Sequence, residues 1–312
     1  MATFQSYNEQ SYELSSHQSY SKTDVITYIS QMINRSKFND AISYIAQIKI
    51  PSIAYANEFY LNILEQLVKL MIYQGYQLKA EKIIEKARDR AFELELFDLY
   101  VKFNIWDSMV KQSLKRSYPS VPIFESLDNY YDDLTDDLLK SQLYLQASHL
   151  NDFIASQESF LKESYKLVTN GQTTRSNEQP YVEAAITNSL GVFYGLIGEN
   201  EKCKNFLELS IAKGKTIGDK RRVAGSMTNL ANLHYLEPQK APETHLIGRS
   251  MIQESIKISE EIQCFEYAMI GNLLLAEYYQ KRGKTTLSVP YYDNVYKLQI
   301  VRGIVEEPAK KV

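Results

Sequence analysis

Four stretches of the chain carry one spaced signature: a Leu, a small or apolar residue beside it, an aromatic or apolar residue three later, and a turn residue four further on. The clearest copy is Leu190, Gly191, Tyr194 and Gly198, and copies starting at Leu67, Leu230 and Leu275 keep much of the frame. Internal repetition restricts the fold strongly, because stacked units bury a core that no copy could bury alone. Between the copies, apolar residues recur at threes and fours, as in Phe59, Ile63, Leu67, Leu70 and Met71, and strand alternation is not sustained anywhere. The spacing predicts an all-α chain of about a dozen helices joined by short turns. Asn39 with Asp40, and Asp219 after Gly218, mark helix starts.

Each Leu frame continues into a second helix. After Leu190 come Cys203, Leu207 and Ser210; after Leu67 the frame gives Gly75, Ala80, Ile84 and Ala87; after Leu275 it gives Gly283, Ser288, Tyr292 and Val295. A helix hairpin needs such a pattern: a small residue where the neighbouring helix crosses closely, a Gly or polar residue to reverse the chain, then alternating small and large contacts. Leu190 and Leu230 lie 40 residues apart, Leu230 and Leu275 45 apart. The extra five fall in the Pro-bearing turn Glu237 to Glu243, which brings Gly248, Ile252 and Ser255 into the second-helix positions.

On these residues the chain resembles the tetratricopeptide repeat family, in a longer-period variant, with Leu190-Gly191 and Tyr194 as the closest match. It departs where that family has a bulky first position, here Thr187 and Asn272. The likeness is good over 181–300, moderate over 64–91 and weak over 94–168. The resemblance implies an α-solenoid of antiparallel hairpins wound into a right-handed superhelix. It also implies a non-catalytic interaction module that holds a peptide or partner helix in a concave groove lined by the first helices. By that frame the groove residues are Asn188, Thr228, Asn229, Asn232, Tyr235, Glu277 and Gln280, with Gly195 beside them. Asn offers a donor and an acceptor, so a ladder of Asn can hold a peptide backbone; the alternative is that these amides satisfy neighbouring helix groups. A carboxylate clamp of Lys, Asn and Arg is not evident. Bacterial peptide-sensing regulators use the same repeats, so a peptide sensor is a second expectation, without the helix-turn-helix domain many of them carry. An enzyme-regulating or catalytic module in the N-terminal half is a third.

Domain organisation follows from composition. Residues 1–22, rich in Ser, Gln and Tyr, read as a disordered polar tail; 23–168 as divergent helical repeats; 169–179 as a Gly- and polar-rich linker; 180–302 as the repeats proper; and 303–312 as a short tail interrupted by Pro308.

Other classes find little support. Net charge is −3 and no dense Lys/Arg stripe appears, which argues against nucleic acid as partner. The most apolar stretch, Leu61 to Tyr73, is broken by Glu65, Gln66 and Lys69, and no basic-then-apolar leader opens the chain, so a cytoplasmic protein that avoids membranes is expected. Cys203 and Cys264 read as small core residues, since neither disulfide-framework nor zinc spacing is present. Gly214-Lys215-Thr216 and Gly283-Lys284-Thr285 end like phosphate loops, but Leu209 and Tyr278 stand where the first Gly would be. Asp132, Asp133, Asp136 and Asp137 lack calcium-loop spacing and read as a helix start. His17, His149, His234 and His245 are scattered, and Trp106 reads as core or as a groove anchor. No cofactor, metal or catalytic group is expected.

Overall fold

The computed structural model describes residues 22–48, 57–114, 123–124, 126, 129–134, 136–151, 153–170, 177–236 and 241–302. The expected tails at 1–21 and 303–312, most of the 169–179 segment and the Pro-bearing turn at 237–240 lie outside them. Thirteen α-helices and no strand occur among the described residues. They are α1 (Lys22–Asn34), α2 (Phe38–Ile45), α3 (Glu58–Gln74), α4 (Gln77–Glu93), α5 (Phe97–Ser113), α6 (Asp137–Leu150), α7 (Ile154–Asn170), α8 (Gln179–Leu196), α9 (Asn200–Ile217), α10 (Lys220–Leu230, continuing as a π-helical turn Ala231–Tyr235), α11 (Pro242–Glu261), α12 (Phe265–Gln280) and α13 (Thr285–Val301). Consecutive helices pack on one another throughout, as in a solenoid.

The repeat frame identified in the sequence sets the local geometry. Gly75, Gly198 and Gly283 all take the left-handed backbone that reverses each hairpin, at φ 91°, 82° and 68°. Ala80, Ile84 and Ala87 of the Leu67 copy are fully buried, as are Cys203 and Leu207 of the Leu190 copy. Where the family likeness fails, hydrogen bonds accommodate the change. Thr187 is buried and its hydroxyl donates back to the Glu183 and Ala184 carbonyls, while the Asn272 amide donates to the Ala268 carbonyl and accepts from Asn294.

One polar device recurs in the hairpins. The Ser210 hydroxyl donates to the Ala184 carbonyl at 2.7 Å, Ser255 does the same to Ala224 at 2.7 Å, and Ser164 to Ser141 at 2.7 Å. The third pair joins α6 to α7, so the weakly matching region is built like the rest. Its second helix carries Leu161 and Ser164 at the same spacing as Leu207 with Ser210 and Ile252 with Ser255. The core is also continuous across 169–179: Leu138, Leu161 and Val168 cluster with Val182, Ile186 and Leu190.

Helix starts behave largely as read. Asp136 caps α6 by accepting from the Leu138 amide, and Asp219 caps α10 by accepting from that of Arg222. Helix α2 begins at Phe38, which places Asn39 and Asp40 in its first turn instead of ahead of it.

The first helices form an inner layer that closes. Helix α3 packs on α5, α5 on α6, α6 on α8, α8 on α10, α10 on α12, and α12 returns to α3. Tyr76 meets Phe265 edge to face, Ser113 donates to Glu266 at 3.0 Å, and Arg302, just past α13, donates to the Gly75 carbonyl at 3.1 Å and to Gln77 at 2.8 Å. The two ends of the helical array therefore meet, and the groove expected from an open repeat stack becomes a central cavity that stays open to solvent.

Candidate functional site

The cavity has a volume of about 1100 Å³, at the top of the ~300–1000 Å³ range of small-molecule pockets. Its walls are built by helical periodicity. Asn62, Glu65, Gln66 and Lys69 line it from α3; Lys102, Ile105, Trp106 and Met109 from α5; Tyr181, Val182, Ala185 and Asn188 from α8. The steps of three, then one, then three are the same on α3 and α5, and they mark the inward face of each first helix. Side-chain amides recur around the wall, including Gln112, Gln142 and Gln146.

Buried polar groups on this wall hold the two halves together. The Lys69 ammonium lies 3.5 Å from the carboxylate of Glu178, at the turn before α8, and Ser30 and Asn34 of α1 donate to the same carboxylate. Lys69 holds the Glu178 carboxyl down at about 2, with Ser30 helping and burial opposing. For Lys69, burial works against the charge, but Glu178, Tyr73 and Glu65 together raise its pKa. The Trp106 indole donates to Glu65 at 2.8 Å, so Trp106 serves both core and cavity wall. The Arg221 guanidinium stacks on the Tyr73 ring at 3.7 Å, and Asp219 accepts from Ser36 at 3.5 Å. These contacts join α3 and the turn after α1 to the start of α10.

His149 also faces the cavity, within 3.1 Å of the Ser189 hydroxyl. Its side chain is exposed toward the cavity while the surrounding helices crowd it; desolvation by that crowding, and then the charge of Arg222, push its imidazole down to about 4. A histidine whose folded pKa is depressed contributes stability above its ordinary value near 6.5 that is lost as pH falls toward 4. After discounting for this exposure, on the order of 1 kcal/mol should disappear across that interval. Chemical denaturation at stepped pH should show this slope, and His149→Gln should flatten it.

The residues expected to line a groove are distributed differently. Asn188 lines the cavity, and its carbonyl oxygen accepts from Ser226 at 2.9 Å and from Asn229 at 3.0 Å. Asn229 is thus joined to Asn188 as a neighbour and does not itself reach the wall. Thr228 is buried, its hydroxyl 2.7 Å from that of Ser255 in the contact between α10 and α11. Asn232 is exposed outside the cavity. Glu277 pairs with Lys281 at 3.7 Å, and Gln280 accepts from Tyr292, both away from the cavity. A side chain at Gly195 would meet Cys203 and Leu233, so that position faces the neighbouring helices. The side chain of Tyr235 lies outside the described residues. The physical reason for this redistribution is the closure of the ring: α10 and α12 reach the cavity only by their first turns, through Arg221, Arg222, Glu266 and Tyr267, while their middles pack on helices.

Among the described residues, no group of three or more His, Cys, Asp or Glu is arranged to hold a metal ion, and no helix is long and apolar enough to cross a membrane. Cys203 and Cys264 are buried free thiols, and burial pushes the Cys264 thiol up to about 12. Gly214 to Thr216 are within α9, and Gly283 to Thr285 form the turn into α13.

The sequence matches no protein-family model and no curated protein.

Proposed function

We propose that the chain is a non-catalytic, tetratricopeptide-like receptor for a short extended peptide, which it holds inside the closed ring. The observation that carries this reading is the cavity wall, where side-chain amides and apolar surface together line a space of about 1100 Å³. Amides present donors and acceptors together, which suits a peptide backbone with both along its length. The apolar strips supplied by Ile105, Trp106 and Val182 suit its side chains.

A peptide sensor is the second reading, and one observation favours it over a passive scaffold. Contacts that hold the two halves of the ring together, Lys69 with Glu178 and Arg221 with Tyr73, belong to the cavity wall itself. A ligand touching them would have different affinities for closed and opened rings, and that difference is what shifts a conformational equilibrium.

Ala185 provides the test, because it lines the cavity from α8 and its methyl makes no hydrogen bond. Wild-type chain mixed with a random hexapeptide pool should gain several degrees in melting temperature, since a ligand that binds only the folded state stabilises it. Ala185→Trp should fill the space and abolish the gain while leaving the ligand-free melting temperature within about 2 °C of wild type. Absence of any peptide-dependent gain, together with absence of co-purifying peptide in the mass spectrum of the denatured protein, would defeat the proposal.

A further inference from the structure

Two guanidiniums line the cavity, and among the described residues that of Arg222 has no ion pair, side-chain hydrogen bond or aromatic ring against it; of the two wall ammoniums, Lys102 likewise has none. Lys69 has Glu178, and Arg221 has the face of Tyr73. Arg222 is half-buried and lines the cavity; its Nε is buried and has no hydrogen-bond partner, and among the described residues no side chain forms a hydrogen bond or ion pair with its guanidinium. The wall carboxylates are engaged elsewhere. Glu65 accepts from Trp106, Asp136 from the Leu138 amide, Glu266 from Ser113, and Asp219 from the backbone amide of Arg222 itself.

A half-buried guanidinium with no hydrogen-bonded counter-ion is poorly compensated, and native proteins seldom leave one so without a reason. The surrounding field agrees with the geometry. Burial and the adjacent Arg221 lower the pKa of Arg222 despite attraction from Asp219, and Arg222 in turn helps suppress protonation of His149. In this corner of the cavity, bounded by the end of α6, the middle of α8 and the start of α10, Asp219 is the nearby carboxylate, and it accepts from the backbone amide of Arg222 and leaves the guanidinium without an ion pair.

We propose that Arg222 is the docking point for a carboxylate of the bound peptide. The inference rests on the peptide-receptor reading above and adds the chemistry of one end of the ligand. A guanidinium can donate two parallel hydrogen bonds to the two oxygens of a carboxylate, and in a half-buried site this contact is strong as well as oriented. The carboxylate belongs either to the peptide C-terminus or to an Asp or Glu side chain; the chemistry at Arg222 is the same.

Three random hexapeptide pools separate the sources: free acids without Asp or Glu, C-terminal amides containing Asp and Glu, and amides without either. Each is incubated with the full chain, and retained peptides are quantified by mass spectrometry after gel filtration. Retention from the first pool assigns the C-terminus, retention from the second the side chain, and the third should be retained at least about tenfold less than the better of the two. Arg222→Gln should lower retention about tenfold, and Arg222→Lys, which keeps the charge, by less. The ligand-free melting temperature of Arg222→Gln should equal or exceed that of wild type, because a poorly compensated charge is removed. Equal retention of the carboxylate-free pool, undiminished retention by Arg222→Gln, or a lower melting temperature for that variant would each overturn the assignment while leaving the peptide receptor standing. Retention of no pool by wild type would remove both.

Discussion

Lys69→Met should lower the stability of the chain by about 2–3 kcal/mol at neutral pH. Removing one member of a buried ion pair typically costs about 3–5 kcal/mol because the remaining charge is left uncompensated. The lower figure applies because the Glu178 side chain is 34% exposed, whereas that of Lys69 is only 9% exposed. For a chain of this size the loss corresponds to a fall of about 3–5 °C in melting temperature.

The sign of the pH dependence gives a second check. In the wild type the Glu178 carboxyl lies at about 2, below its ordinary 4.5. Its contribution is present above 4.5 and is lost as pH falls toward 2. Without Lys69 the carboxylate is disfavoured, so protonation relieves the variant while it weakens the wild type. The gap between them should be widest near neutrality and should narrow below pH 4. Adding Glu178→Gln to Lys69→Met should recover much of the loss, since two neutral groups replace one unpaired charge. A single variant within about 0.5 kcal/mol of wild type would show that this pair does not hold the ring closed.

Lys69 also illustrates how much of the site could be read in advance. Glu65, Gln66 and Lys69 interrupt the apolar run from Leu61 to Tyr73, and in the sequence they argue only against a membrane span. In the fold they are the inward stripe of a helix buried on its other faces. Charged residues on an otherwise apolar helix are therefore a readable signal for an internal polar surface. The hairpins were legible for the same local reason: Gly75, Gly198 and Gly283 act within their own turns, and Leu161 with Ser164 repeats a spacing present in the other second helices. Asn188 was legible from its frame.

Ring closure was not legible, because it depends on residues far apart in sequence, such as Arg302 against Gly75 and Ser36 against Asp219. Without closure, Arg222 reads as one basic residue in a link between repeats. Glu178 was assigned to a linker for its Gly- and polar-rich surroundings, yet it supplies the carboxylate that Lys69, Ser30 and Asn34 share. Composition reports local solvation preference and carries no information about which distant helix will come to face the segment.

Gly191→Ala should lose about 1–2 kcal/mol, although Ala is ordinarily the better helix former. A Cβ at Gly191 would stand 2.5 Å from Leu207 Cγ, 2.8 Å from its Cδ2 and 3.1 Å from its backbone nitrogen. Overpacking of this kind costs about 1–3 kcal/mol, against which the intrinsic preference of helices for Ala returns about 1 kcal/mol or less. A larger side chain adds to the clash, so Gly191→Val should exceed 3 kcal/mol and unfold the chain several degrees earlier. Gly198 supplies the contrast. A Cβ there meets nothing within 4 Å, and the cost of Gly198→Ala comes from φ 82° alone, about 1–2 kcal/mol. Gly198→Asn should therefore be nearly silent, since Asn tolerates that backbone, while Gly191→Asn should not. Leu207→Ala added to Gly191→Ala removes the side-chain clash and should cost less than the two single losses added together, with a coupling of about 1 kcal/mol. Thermal and urea denaturation of these variants checks the ordering. Additive losses for the double variant would mean that the α8–α9 crossing relaxes around the new methyl, and that the close approach of this hairpin does not fix the curvature on which the cavity depends.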